Sequence, residues 1–155
     1  MTARRTILKP LAALALLPLA ACATGAKMKK TITLNLTIRN YIKRSLFDIE
    51  LNGRSMGGVR AYGLEGGMAH GGEGGVHLDS TFNLGGPQTL KWRDAGTGVT
   101  TTAKNPLYIR EEDMPKGVRY LCVHIYPDET AELTFTVDDP KRTQRGLDLI
   151  EEQNK

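Results

Sequence analysis

A run of alternating apolar and polar side chains gives the clearest structural signal in the chain: Thr31-Ile32-Thr33-Leu34-Asn35-Leu36-Thr37-Ile38-Arg39. Isoleucine or leucine occupies every second position, and polar residues fill the positions between them. Successive side chains of a β-strand point to opposite faces of the sheet, so this period of two predicts a strand with one buried face.

The residues that follow predict an antiparallel hairpin. Residues 46–51 also alternate, with Phe47, Ile49 and Leu51 on the face expected to be buried. The pair Asn52-Gly53 comes next and favours the positive-φ geometry of a tight two-residue turn. Residues 56–62 would return as the next strand.

Further short strands are predicted at residues 89–93, 99–102, 118–126 and 132–137, separated by turn residues. Trp92 shares the apolar face of its strand with Leu90, which favours the core over an exposed binding platform. A helix with one apolar edge is predicted at residues 146–153, where Leu147 and Ile150 form that edge.

The stretch 63–77 interrupts this pattern with seven glycines. Glycine has no side chain to pack and loses much entropy on folding, so this density predicts a flexible surface loop. The chain as a whole predicts an all-β fold, an antiparallel β-sandwich with a glycine-rich loop and a short C-terminal helix or tail. We divide it into a signal peptide (1–21), a lipidated N-terminus and tether (22–30), a sandwich domain (31–139) and a polar C-terminal tail (140–155).

The N-terminus has the layout of a secretory signal that ends in a lipidation site. An apolar run over residues 11–21 follows a basic start and leads into Leu19-Ala20-Ala21-Cys22, which resembles a bacterial lipobox. We therefore expect cleavage before Cys22 and lipidation of its thiol. A membrane-spanning anchor is disfavoured, because the run is about half of the roughly 20 residues that a spanning helix needs.

The same segment predicts where the protein resides. Ala23, rather than aspartate, follows the cysteine, and by resemblance to enteric lipoproteins this predicts the periplasmic side of the outer membrane. Arg4-Arg5 resembles a twin-arginine export signal, and an ordinary basic signal start is the alternative. Both routes lead to the periplasm.

The mature chain is almost neutral. The sequence has 21 basic and 17 acidic residues, and the loss of Arg4, Arg5 and Lys9 with the signal leaves 18 against 17. A net charge of +1 does not provide the basic surface that nucleic acids require, so no nucleic-acid partner is predicted.

No pattern in the sequence predicts an enzyme, a metal or a cofactor. Cys122 lies in a strand pattern and is interpreted as a buried core thiol. His70 and His77 have a spacing that fits no standard metal site. Gly53-Arg54-Ser55-Met56-Gly57 matches the nucleophile elbow of esterases, but that motif needs a helix after the serine, and the residues here disfavour one.

Several motifs together resemble the DUF3304 family of small bacterial lipoproteins. In chain order they are Tyr41-Ile42, Phe47-Asp48-Ile49, Leu51-Asn52-Gly53, Gly57-Gly58 and the segments 86–93, 103–106 and 123–128. Members of this family are often linked to type VI secretion lipase effectors, and some are interpreted as their immunity proteins. The resemblance therefore implies a lipase effector as the partner and inhibition as the function.

Inhibition of this kind requires a contact surface, which we expect on the turn at 52–55 and on the glycine-rich stretch. The candidate partner-binding residues are Asn52, Arg54, Tyr62, Glu65, Met68, His70, Glu73 and His77. The alternative function is that of a non-enzymatic structural or ligand-binding lipoprotein of the envelope.

Overall fold

The computed structural model describes residues 30–65, 68–153 and 155, with the backbone alone for residues 63–65 and 68–71. The predicted signal peptide, the lipidation site Cys22 and the tether before Lys30 lie outside the described residues. The described chain is predominantly β-structure, which confirms the predicted all-β class.

Twelve strands and one α-helix follow one another in the described residues. The strands are β1 (Thr31–Asn40), β2 (Leu46–Leu51), β3 (Arg54–Ser55), β4 (Tyr62–Glu65), β5 (Met68–Gly71), β6 (His77–Asn83), β7 (Pro87–Gln88), β8 (Leu90–Asp94), β9 (Thr100–Thr102), β10 (Leu107–Tyr108), β11 (Tyr120–Ile125) and β12 (Ala131–Thr136). The helix is α1 (Gln144–Glu152), and a single 3-10 turn lies at Glu111–Asp113.

Two four-stranded sheets contain most of these strands. Their orders are β12-β11-β1-β6 and β3-β2-β8-β9, and two short ladders pair β10 with β7 and β4 with β5. The predicted hairpins β8–β9 and β11–β12 are confirmed. The predicted turn at Asn52-Gly53 is also present, but the strand that returns from it is β3, with two residues. All neighbouring strands are antiparallel except β1 and β11, which run parallel at the centre of the first sheet.

The core forms between the apolar faces of the two large sheets. The alternation predicted for β1 is confirmed, since Leu34, Leu36 and Ile38 are buried. Leu90 and Trp92 bury the matching face of β8, which confirms the core position of Trp92. Each large apolar side chain buried in this way contributes about 1.5–3 kcal/mol.

The prediction that Phe47 faces the core is wrong, because β2 contains a bulge. Asp48 has a φ of 48°, and the register with β8 shifts between Phe47 and Glu50. The extra residue reverses the alternation, so that Leu46 and Ile49 are buried while Phe47 is 46% exposed.

The strand predicted at residues 56–62 is largely absent. Gly57, with a φ of 74°, follows the two-residue strand β3, and Val59 then forms only isolated bridges with Leu46 and Gly74. Gly74 in turn donates its N–H to a carbonyl of β1 at 2.9 Å. These contacts connect the two large sheets along one side of the domain.

The glycine-rich stretch is not the single flexible loop that its composition predicts. It contains the hairpin β4–β5, which pairs from Tyr62 with Gly71 to Glu65 with Met68. Tyr62 anchors the hairpin, since its side chain is buried and its N–H donates to the carbonyl of Ile42 at 3.1 Å. Strand pairing uses backbone groups, which glycine supplies as other residues do.

The predicted C-terminal helix is confirmed as α1, and the tail that contains it packs against the domain. The hydroxyl of Thr143 caps the helix by accepting from the N–H of Gly146 at 3.1 Å. Gly146 lies so close to the ring of Tyr41 that a Cβ at this position would overlap the ring. In the described part of the chain, no helix combines the length and the apolar composition needed to cross a membrane.

Candidate partner-binding surface

The central strand β1 gives the domain two distinct ends. Its ten residues rise about 3.3 Å each, so Thr31 and Asn40 are about 30 Å apart. We call the end that carries Lys30 the tether end, because the predicted lipid anchor precedes it. At the opposite end, which we call the far end, the N–H of Tyr41 donates to the carbonyl of Ile125 at 3.0 Å.

Two of the predicted partner-binding residues lie toward the tether end. The side-chain oxygen of Asn52 accepts from the N–H of Thr89 at 2.8 Å. Arg54 donates to the carbonyl of Thr81 at 3.1 Å, and Thr81 lies opposite the start of β1. Both side chains are exposed and also hold segments of the domain together.

The other predicted residues lie elsewhere. Glu73 is opposite Arg39 near the far end. Tyr62 also lies near the far end, where its N–H bonds to the carbonyl of Ile42. His77 is opposite Leu36 in the middle of β1. Glu65, Met68 and His70 belong to the hairpin β4–β5, and their side chains lie outside the description. The turn that carries Asn52 and Arg54 is therefore separated from Glu73 by about 20 Å along β1, and His77 lies between them. The role of these residues in binding stays a prediction.

Tyr62, predicted as an exposed contact residue, is buried, with 2% of its surface exposed. Its ring lies beside the guanidinium of Arg142, whose central carbon is 5.4 Å from the ring centroid. The surrounding glycines carry no alternation, so the local sequence does not show which face of this strand is buried.

Glu73 connects three segments of the far end. Its Oε1 lies 2.7 Å from Nη1 of Arg39 and 3.6 Å from Nη2 of Arg142. Arg39 also donates to the carbonyl of Pro140 at 2.6 Å. The predicted contact residue Glu73 thus helps to hold the C-terminal segment against β1.

An apolar groove opens beside Phe47 toward the far end. Its volume is about 710 Å³, and it is lined by Ser45, Phe47, Gly58, Val59, Arg60 and Ala61. A Cβ at Gly58 would lie 3.0 Å from Cδ1 of Phe47 and 2.9 Å from the backbone oxygen of Leu46, so a side chain there would displace the ring. Sequence reasoning misses this surface, which we call the Phe47 groove, because it assigns Phe47 to the core.

Two arginine side chains lie at this surface. The guanidinium carbon of Arg93 lies 6.0 Å from the ring centroid, and its Nε is 2.7 Å from Oδ2 of Asp48. Arg60 lines the groove and has no salt-bridge partner among the described residues. Exposed aromatic rings and arginines are enriched at protein interfaces, so this combination is suited to binding a protein.

Asp94 organises the turn next to this surface. Its Oδ1 accepts from the backbone N–H groups of Thr97 at 3.0 Å and Gly96 at 2.8 Å, and Arg44 lies 2.9 Å from its Oδ2. The hydrogen bond from Thr97, then that from Gly96 and the charge of Arg44, lower the pKa of Asp94. The carboxylate therefore stays ionised and holds Arg44 at the far end.

A buried polar cluster lies beneath the C-terminal segment. Nδ1 of His124 is 3.0 Å from the hydroxyl of Tyr41, and Nε2 is 2.9 Å from Oγ1 of Thr134. Burial lowers the pKa of His124 to about 4, so the ring is neutral near pH 7. Tyr41 stacks on Tyr126 with centroids 5.1 Å apart, and burial raises the pKa of both phenols. These groups are closed off from solvent and support packing.

The two residues considered for nucleophilic chemistry have different environments. Cys122 is fully buried, and burial raises its pKa to about 12, which confirms the core interpretation. Ser55 ends β3, and the described chain after it forms an isolated bridge and then β4, with no helix between them. The strand–turn–helix geometry of a nucleophile elbow is therefore absent from this described stretch.

The described residues bring together no group of three or more His, Cys, Asp or Glu side chains that could hold a metal ion. His77 is exposed on β6, and the side chain of His70 lies outside the description.

Comparison with protein-family models, with curated proteins and with solved structures finds no match to this chain.

Proposed function

We propose that this protein is a lipid-anchored binding protein on the periplasmic side of the outer membrane, where it inhibits a lipase effector of type VI secretion. The observation that carries the proposal is the Phe47 groove, in which a half-exposed aromatic ring adjoins an arginine without a described salt-bridge partner. The lipobox at Cys22 supports the location, and the resemblance to the DUF3304 lipoproteins supports the class of partner.

The position of the groove suits an inhibitor that works at a membrane. The predicted anchor precedes Lys30, while the groove lies toward the other end of a domain about 30 Å long. An effector delivered into the periplasm attacks the bilayers that border it, so a lipid anchor would hold the inhibitor at the surface under attack. Confinement to one surface raises the effective concentration of the two proteins.

Inhibition by coverage of an active site requires no chemistry in the inhibitor. The thiol of Cys122 and the imidazole of His124 are both buried, and neither faces the Phe47 groove. A few exposed aromatic and arginine side chains can supply most of the free energy of a protein interface. We therefore propose a non-enzymatic mechanism in which the bound domain blocks access of lipid to the effector.

The proposal is tested by producing a type VI lipase effector from the same genome in the periplasm of a laboratory bacterium. Full-length protein should restore colony formation and lower the release of free fatty acid. Cys22→Ala should abolish lipidation and weaken protection in cells, because the variant is no longer held at the membrane. Effector toxicity that persists beside abundant anchored protein would contradict the proposal and favour the structural or ligand-binding alternative.

A further inference from the structure

We infer that the Phe47 groove receives an apolar side chain from the lipid-entry surface of the lipase, and that Arg60 binds a carboxylate beside that side chain. The inference rests on the proposed function and specifies which part of the lipase is covered. An enzyme that draws acyl chains from a bilayer exposes apolar surface around its entrance, and burial against an aromatic ring removes such surface from water.

The surroundings of Phe47 limit where its ring can move. The ring lies beside Gly58, where an added Cβ would be 3.0 Å from Cδ1 of the ring, so the two groups approach closely. Arg93 lies 6.0 Å from the ring centroid and pairs with Asp48 at 2.7 Å. Asp48, with its positive φ, lies at the bulge that turns the ring outward. A side chain with fewer conformations available loses less entropy on binding, which favours affinity.

Leu78 provides a matched comparison within the same fold. It precedes Asp79, whose φ is 50°, at a bulge in the pairing of β6 with β1. Its side chain is 71% exposed, more than that of Phe47, but it does not line the Phe47 groove. Comparing substitutions at Phe47 and at Leu78 therefore separates an effect of the groove from an effect of exposed apolar area alone.

The positive charge of Arg60, which lines the Phe47 groove, favours some occupants of the groove over others. Arg60 has no salt-bridge partner among the described residues, so a carboxylate on the occupant would gain a charge-assisted hydrogen bond. A second copy docked about a two-fold axis through the groove would bring two Arg60 side chains together, and this repulsion disfavours it. The bilayer that holds the anchor lies beyond the tether end.

The test uses the full-length mature lipoprotein, reconstituted in vesicles of phosphatidylethanolamine and phosphatidylglycerol, and a purified type VI lipase effector from the same genome. The initial rate of phospholipid hydrolysis is measured as the density of the lipoprotein rises. Phe47→Asp should raise the density needed for half-inhibition at least about thirtyfold, because central aromatic contacts dominate interfaces. Leu78→Asp should raise it less than about threefold. Equal effects of the two substitutions would overturn the inference, provided that both variants melt like the wild type.

Arg60→Glu tests the charge at an exposed position, and its melting temperature should match that of the wild type. It should weaken inhibition at least about tenfold at low salt, while Lys116→Glu, the same change in the exposed segment before β11, should leave inhibition unchanged. Inhibition retained by both Phe47→Asp and Arg60→Glu would overturn this inference but not the proposed function. Failure of the wild-type protein to inhibit would overturn both. Sedimentation that shows a dimer abolished by Phe47→Asp would assign the groove to a second copy and overturn the inference.

Discussion

The far end and the tether end of the domain are closed by different kinds of contact. At the far end, the buried rings of Tyr41 and Tyr126 stack on each other, and α1 lies across Tyr41 through Gly146. At the tether end, the amide group of Asn52 holds the turn through hydrogen bonds with Gln88 and Thr89. Burial of a large ring contributes more than a hydrogen bond near the surface, which adds about 1 kcal/mol. Substitutions should therefore destabilise the far end more than the tether end.

This difference also concerns the candidate site. The Phe47 groove lies toward the more tightly packed end, where Asp94 and Arg44 hold the adjacent turn. A binding site on a rigid support keeps its contact groups in position, so the buried contacts of the far end would serve binding as well as stability.

The largest effect is expected from Gly146→Ala at the far end. Alanine normally stabilises a helix relative to glycine by about 1 kcal/mol, but here its Cβ would overlap the ring of Tyr41. We expect the free energy of unfolding, measured with urea, to fall by about 3 kcal/mol. Gly75→Ala is the control, because no atom lies within 4 Å of the added Cβ. A more stable Gly146→Ala protein would contradict the close contact between α1 and Tyr41.

Lowering the pH tests the stability of the far end, because His124 is buried there. Burial lowers its folded-state pKa to about 4 from a usual value of 6.5. Between these values the unfolded chain binds a proton that the folded chain does not, so this contribution is complete above pH 6.5 and declines as the pH falls. The free energy of unfolding should decrease by roughly 2 to 3 kcal/mol between pH 7 and pH 4.

His124→Gln is the variant that checks this assignment, by urea unfolding at each pH. Its stability should vary little between pH 6.5 and pH 4, whereas a slope equal to that of the wild type would exclude His124 as the cause. Asp94 has a lowered pKa, so its stabilising contribution is present above the usual carboxyl value and is lost only as the pH falls through the lowered one.

A smaller effect is expected at the tether end from Asn52→Ala. The substitution removes the acceptor for the N–H of Thr89 and places alanine at a φ of 55°. We expect a loss of about 1.5 kcal/mol in thermal or urea unfolding. Asn52→Gly removes the same hydrogen bonds without the backbone strain, so it should be the less damaging variant. A loss of unfolding free energy as large as that of Gly146→Ala would contradict the expected difference in stability between the two ends.

The smallest effect is expected from the ion pair between Lys30 and Glu111. Their side chains are 65% and 66% exposed, so solvent and salt screen the attraction. A double-mutant cycle with Lys30→Ala and Glu111→Ala should give a coupling free energy below about 0.5 kcal/mol. A coupling above about 1 kcal/mol would show that the tether end is more ordered than its exposure indicates.

Local alternation predicts much of the fold from the sequence. The burial of Leu36 and Trp92 follows from the period of two along their own strands. The burial of Cys122 follows from its residue type within a strand, and the Asn52-Gly53 turn follows from its residue types. The exposure of Phe47 does not follow, because the bulge at Asp48 appears only when β2 pairs with β8. Aspartate tolerates a positive φ, but its presence in a strand does not predict one.

The packing of the far end, toward which the candidate site lies, is less predictable than the strands, because its contacts join distant segments. Tyr41 meets Gly146, and Glu73 meets both Arg39 and Arg142, across separations that no local pattern records. The burial of Tyr62 also depends on contacts with distant segments, so the local sequence does not predict it. A sequence signal for the Phe47 groove does exist in the pair Gly57-Gly58, since close approach to Phe47 requires a glycine at the second position.

The parallel pairing of β1 with β11 determines the order in which the chain can fold. Asn35 pairs with Tyr120, 85 residues further along the chain, so the central ladder closes a very long loop. Contacts between such distant segments slow folding, because the entropy of loop closure is lost before the contacts form. If the chain emerges unfolded from its N-terminus, as it does during synthesis, the central strand appears well before its parallel partner. Until then one edge of β1 stays unpaired, and an alternating strand with an open edge is prone to pair with other chains.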